Sequence, residues 1–76
     1  MSLDLSREIE KELKLAAAKG VADAWEIADL ACQNLKHKYG KSTFAYPMKG
    51  GKQIYYKGET YNIKRVGGVY KVTIES

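Results

Sequence analysis

Residues 53–74 read QIYYKGETYNIKRVGGVYKVTI, and this stretch decides the fold. β-Branched and aromatic residues alternate with polar ones, and the pattern breaks at Lys57-Gly58 and at Gly67-Gly68. Two-residue breaks that contain glycine are where tight hairpin loops belong, because those loops need positive φ at their centre. The stretch therefore predicts three strands, Gln53 to Tyr56, Thr60 to Val66 and Val69 to Ile74. Folding the last two about Gly67-Gly68 sets Val66 against Val69, Arg65 against Tyr70, Lys64 against Lys71, Ile63 against Val72 and Tyr61 against Ile74. Side chains alternate between the two faces of a strand. Tyr61, Ile63, Tyr70, Val72 and Ile74 then share one face, joined by Ile54 and Tyr56, and this is the expected core face. The opposite face receives Gln53, Tyr55, Lys57, Asn62, Lys64, Lys71 and Thr73, with Val66 and Val69 at one end.

Upstream the period changes. Leu5, Ile9, Leu13 and Ala16 recur at helical spacing and stop before Gly20. Asp23 followed by Glu26 resembles a capping box that opens a second helix. Ile27, Ala28, Ala31, Cys32, Leu35 and Tyr39 lie along one stripe of that helix, and Gly40 ends it. Acidic Asp23, Glu26 and Asp29 crowd its start, and Lys36, His37, Lys38 and Lys41 crowd its end, which complements the helix dipole. The link at Val21-Ala22 is short, so the two helices form a hairpin. Thr43 to Tyr46 is a short β-prone run that Pro47 closes, an edge or lead-in strand, and Gly50-Gly51 is a turn. The expected fold is α+β: an N-terminal helical hairpin packed on one face of a small, mainly antiparallel sheet of three to four strands. Residues 1–76 form a single domain, with a helical half at about 4–39 and a β half at about 43–75.

Composition narrows the function classes. Hydrophobic residues make up 45% of the 76, too many for a disordered chain. No stretch reaches the roughly 20 apolar residues of a membrane span, and the first residues show no basic segment followed by an apolar run, so no signal peptide is expected. One cysteine excludes an intrachain disulfide, and one Cys with one His excludes the common zinc sites. The expected location is cytoplasmic, with no cofactor. A core this small barely offsets the ordering cost of the chain, which makes a homodimer an expectation.

Charge divides the chain. Residues 1–40 sum to −1 and residues 41–76 to +5, so the whole excess of +4 lies in the β half. Six of the eight aromatics lie there too: Phe44, Tyr46, Tyr55, Tyr56, Tyr61 and Tyr70. Lys64 directly opposite Lys71 is a like-charge cross-strand pair, which is locally destabilising. Such lysines can simply be solvated and guard an edge. They are also tolerated where an anion lies across them, and Tyr55, Asn62 and Gln53 on the same face favour that alternative. Aromatics on a basic sheet stack on bases while lysines hold phosphates.

Other candidate chemistry is explained more cheaply. Cys32 and His37 are five residues apart on one helix, about 140° around it, and cannot meet as nucleophile and base. Cys32 reads as a buried thiol and His37 as a dipole partner. Capping accounts for Asp23, Glu26 and Asp29, and packing for Trp25. Gly50-Gly51-Lys52 lacks the spacing of a phosphate-binding loop. Leu13 to Leu35 has the outline of a helix-turn-helix that would expose Gln33, Asn34 and Lys36, but Asp23, Glu26 and Asp29 would repel the DNA backbone. No set of polar groups converges as catalysis requires, so no enzyme is expected.

Gly40, Tyr46, Pro47, Lys49 and Gly50 carry one resemblance. The segment from Ile27 to Gly50 resembles part of the phage Mor transcription activator family, where a helix runs into a glycine and then a Tyr-Ile-Pro-Lys-Gly-type strand. The resemblance covers under a third of the chain, the Tyr–Pro spacing differs by one, and the family's C-terminal helix-turn-helix has no counterpart here. It implies dimerisation through this region.

Two functions from different classes follow. The first is a non-catalytic nucleic-acid-binding module, in which Lys52, Lys57, Lys64 and Lys71 contact phosphates beside Asn62 and Tyr55 is a stacking platform. The second is a protein-interaction or regulatory module, phage-type and dimeric, whose cationic surface meets an acidic protein partner through the same residues.

Overall fold

Helix α1 (Ser6–Ala17) begins under the Asp4 carboxylate, whose Oδ1 accepts from the Ser6 hydroxyl and from the Ser6 backbone N–H at 2.9 Å. These bonds to Ser6 hold the Asp4 carboxyl below its ordinary range. Helix α2 (Ala24–Tyr39) opens on Asp23, whose Oδ2 accepts from the Glu26 N–H at 3.1 Å, and closes at Gly40, whose N–H donates to the Lys36 carbonyl at 2.8 Å. The capping reading of Asp23 thus has its bond. The structure is a computed structural model and describes residues 4–40 and 43–75. Lys41, placed by the sequence reading at the end of α2, lies outside the described residues.

The β half forms one antiparallel sheet in the order β1-β2-β3-β4, with strands Ala45–Met48, Gln53–Tyr56, Glu59–Val66 and Val69–Ile74. The β3–β4 register is the one the alternation predicts, Lys64 opposite Lys71 included. The two tight loops show why it is fixed. Lys57 and Gly58 have φ of 49° and 84°, and Gly67 and Gly68 have 57° and 81°. Positive φ at both central residues matches the twist of the flanking strands.

The first strand departs from expectation. It starts at Ala45 rather than Thr43 and runs through Pro47 to Met48. The ladder explains why Pro47 does not stop it. The Lys57 N–H donates to the Phe44 carbonyl at 3.3 Å, so the inward-bonding positions of β1 are Phe44, Tyr46 and Met48. Pro47 falls on the outward phase of this edge strand, where the missing N–H costs no ladder bond. A short left-handed turn, Lys49–Gly51, then joins β1 to β2.

The helical hairpin covers one face of the sheet, α1 over β4 and α2 over β1, β2 and the Lys49–Gly51 turn. The buried core takes Ile9, Leu13 and Ala16 from α1, and Ile27, Ala28, Ala31, Cys32 and Leu35 from α2. The sheet contributes Ala45, Ile54, Tyr56, Tyr61 and Val72. Truncating a side chain as enclosed as Leu13 to Ala costs about 2–5 kcal/mol. Tyr39 leaves the stripe. It sits in the last turn of α2 and is exposed. On the far edge the Val72 N–H, which points away from β3, donates to Glu10 Oε2 at 2.8 Å. A carboxylate from α1 thereby occupies an edge that would otherwise template another strand.

Candidate nucleic-acid interface

The face of the sheet turned away from the helices carries three groups in succession. At the β1–β2 side, Tyr46 stands opposite Tyr55, and their rings stack with centroids 5.1 Å apart and an interplanar angle of 18°. In the middle, Gln53 stands opposite Asn62, and Gln53 Nε2 donates to Asn62 Oδ1 at 2.7 Å and to Glu75 Oε1 at 3.3 Å. At the β3–β4 side lie Lys64 and Lys71. A groove of about 490 Å³ runs over this region, lined by Lys49, Lys52, Lys64 and Lys71 around Gln53 and Asn62.

Each lysine arrives by a different route. Lys64 and Lys71 are placed by strand alternation. Lys49 and Lys52 flank the two glycines of the left-handed turn, and the Lys52 carbonyl accepts from the Ile63 N–H at 2.8 Å, which anchors the turn to β3. Among the described residues the ion pair within 4 Å is Arg7–Glu10 at 3.3 Å, on α1. The groove lysines are exposed, and the Glu75 carboxylate accepts from Gln53, which lines the same groove. Four ammonium groups in one groove with little local neutralisation suit a polyanion, and the tyrosine pair beside them supplies a flat π-surface.

The sequence-predicted residues are not all brought together. Lys52, in the turn before β2, lies at the margin of the outer face and lines both the groove and a cavity on the helix side. Tyr55, Asn62, Lys64 and Lys71 share the outer face. Lys57 does not: its Nζ lies 4.5 Å from the centroid of Tyr39 and 5.5 Å from that of Tyr56, on the helix side of the sheet. Strand alternation fails for Lys57 because it occupies a hairpin loop with φ of +49°, which turns the side chain back over the α2 end. Two residues were missed. Tyr46 was readable, since continuing the register across the Gly50-Gly51 turn sets it opposite Tyr55. Lys49 was not, since a turn of positive φ has no period to follow.

The remaining candidates sit apart from this face. Cys32 is enclosed, and burial, reinforced by the Asp29 charge, pushes its thiol up to about 12. His37 is exposed near the end of the same helix. Gln33 of α2 donates to Asp29 at 2.7 Å, so the supposed reading helix offers a carboxylate beside its amide. Among the described residues no group of three or more His, Cys, Asp or Glu could hold a metal ion, and no helix is long and apolar enough to cross a membrane.

No family model, no curated protein and no solved structure matches this chain. The likeness of Ile27–Gly50 to the phage activators is carried by the quoted residues alone.

Proposed function

We propose that this chain is a non-catalytic module that binds nucleic acid on the outer face of its sheet. One observation carries the reading: Lys49, Lys52, Lys64 and Lys71 line a single groove with Gln53, and Tyr55 of the stacked Tyr46–Tyr55 pair follows Gln53 on the same face of β2. The lysines contact phosphates, and the exposed Tyr46 ring offers a platform for an unpaired base. A single strand suits this face better than a duplex, because stacking needs bases that are not already stacked on each other. A cytoplasmic location accompanies the reading, since the single thiol has no disulfide partner in the chain.

A salt series tests it. Neutralising three to four phosphates of a single strand gives a slope of log K against log salt of about −2 to −3. The double substitution Lys64→Glu with Lys71→Glu is expected to abolish binding of mixed DNA and RNA fragments while the circular dichroism spectrum stays unchanged. Normal binding by the folded double variant would refute the assignment.

A second reading has its own observation. Val66 and Val69 at the tip of the β3–β4 hairpin are 64% and 56% exposed, and they continue the lysine-bearing face. An acidic protein, or a second copy of the chain, would meet that apolar tip with its carboxylates over the lysines. No mobility shift of any nucleic acid at low salt, with a dimer or a stoichiometric acidic partner on a sizing column, would favour it.

A further inference from the structure

On the helix side of the sheet, away from the stacked tyrosines, lies a second cavity of about 360 Å³, which adjoins the outer groove along Lys52, Ile63 and Lys64. Its wall is apolar: Leu13 from α1, Ile27 from α2, Ile63 from β3 and the ring of Tyr70 from β4. Its mouth is basic. Arg65 shares the inner face with Tyr70 by register, and its guanidinium carbon lies 5.3 Å from the Tyr70 ring centroid. Lys52 stands beside it, and Lys64, whose side chain belongs to the outer face, borders the cavity as well.

The cavity exists because the two layers separate here. The helices cover the sheet down to Ile63, but β3 runs on through Arg65, past the last residue of the core. The Lys49–Gly51 turn meets α2 so closely that a Cβ on Gly51 would stand 2.5 Å from the Ala24 carbonyl carbon, so no side chain enters the gap from that side. The Tyr70 hydroxyl is shielded from solvent and has no hydrogen-bond partner among the described residues.

The geometry points to a binding site for a small monoanion with an apolar body, a medium-chain carboxylate. An apolar recess of this size with a few charged groups at the entrance is the usual form of a small-ligand site. The alkyl chain leaves water for the wall of Leu13, Ile27, Ile63 and Tyr70, and the carboxylate stays at the mouth against Arg65, with Lys52 beside it. Arg65 presents the planar fork that a carboxylate matches. Lys52 and Lys64 line both this cavity and the outer groove, whereas Arg65 and Tyr70 line this cavity and not the groove, and Lys71 and the Tyr46–Tyr55 pair do not line the cavity.

Titration of the full chain with octanoate, followed by amide and methyl NMR shifts, tests the site. Saturable shifts centred on Ile63, Ile27 and Tyr70 are expected. Affinity should rise about four-fold per methylene from hexanoate to octanoate. Octanol should bind several-fold more weakly, and octylammonium should not bind. Arg65→Gln should bring octanoate down toward octanol. Ala24 is exposed at the cavity wall, so Ala24→Leu fills the space without disturbing the core and should remove binding with the melting temperature kept. Lys71→Glu should leave octanoate binding unchanged, which separates this site from the outer face. Absence of saturable shifts, equal binding of octylammonium, or unimpaired binding by folded Ala24→Leu would overturn the proposal.

Discussion

Gly51 shows how much one missing methyl group can hold. Its φ is +94°, and a Cβ there would meet the Ala24 carbonyl carbon and oxygen at 2.5 Å and the Trp25 nitrogen at 2.7 Å. These are backbone atoms of the first turn of α2, so nothing nearby can swing aside. Its neighbour Gly50 also has positive φ, +67°, but a Cβ there would meet no atom within 4 Å. The pair separates backbone strain from packing. Gly50→Ala carries the strain alone and should cost about 1 kcal/mol. Gly51→Ala carries strain and collision together and should cost about 2–4 kcal/mol, since the turn must move off the helix. Urea denaturation of the two variants measures the difference. Similar losses for both would mean that the turn does not bear on α2. Because Lys52 follows Gly51 directly, displacement of the turn should also weaken nucleic-acid binding in the Gly51 variant more than in the Gly50 variant.

Among the elements, the β3–β4 hairpin combines the clearest structural signal with the clearest local penalty. Lys64 faces Lys71 across the strands, and like charges in that relation oppose pairing. Lys64→Glu converts the pair to opposite charges, so stability should rise by about 0.2–1 kcal/mol. The same change removes a positive charge from the groove and adds a negative one, so binding to single-stranded DNA should fall at low salt. A variant that is more stable and binds less cannot have lost binding by unfolding; thermal melts and a binding isotherm on one preparation decide it. If stability rises and binding is untouched, the lysine pair has no role in contacting an anion. The hairpin was legible because its information is periodic: Gly67-Gly68 fixes the turn, and the period of two assigns every side chain of β3 and β4 to a face. The period stops where φ becomes positive, which is why Lys57 was misplaced and Lys49 overlooked. The first strand was misread for another reason. Pro47 looks like a terminator until the hydrogen-bond phase of the edge strand is known, and that phase depends on pairing with β2 across the turn. The grip of Glu10 on the Val72 N–H joins residues 62 positions apart, and no local pattern announces it.

Across the whole molecule, the helical hairpin seals two tyrosines against the sheet's inner face. Tyr56 and Tyr61 are fully enclosed, and they sit among aliphatic side chains from both layers. Burial, with the nearby Glu8 carboxylate adding to it, pushes the Tyr56 phenol well above its ordinary value of 10.0. Tyr61 moves in the same direction, again through burial, although its bond from the Leu5 N–H at 3.2 Å opposes the shift. A phenol whose folded pKa is raised holds its proton more tightly in the folded chain than in the unfolded one. The stability this contributes is complete below pH 10 and is lost as pH climbs from there toward the folded value. The fold should therefore resist mild alkali and fail cooperatively in strong alkali, with both layers coming apart together. Tyr56→Phe isolates one contribution. The Tyr56 hydroxyl is buried near the Glu8 carboxylate and makes no hydrogen bond within 3.5 Å among the described residues, so its removal should change stability near pH 8 by no more than about 1 kcal/mol. Between pH 8 and pH 11 the variant should lose less stability than the parent chain, with the Tyr61 contribution common to both. Urea midpoints at the two pH values measure this. Equal losses in parent and variant would mean that Tyr56 reaches water in the folded state, and the seal between helices and sheet would be looser than the packing shows.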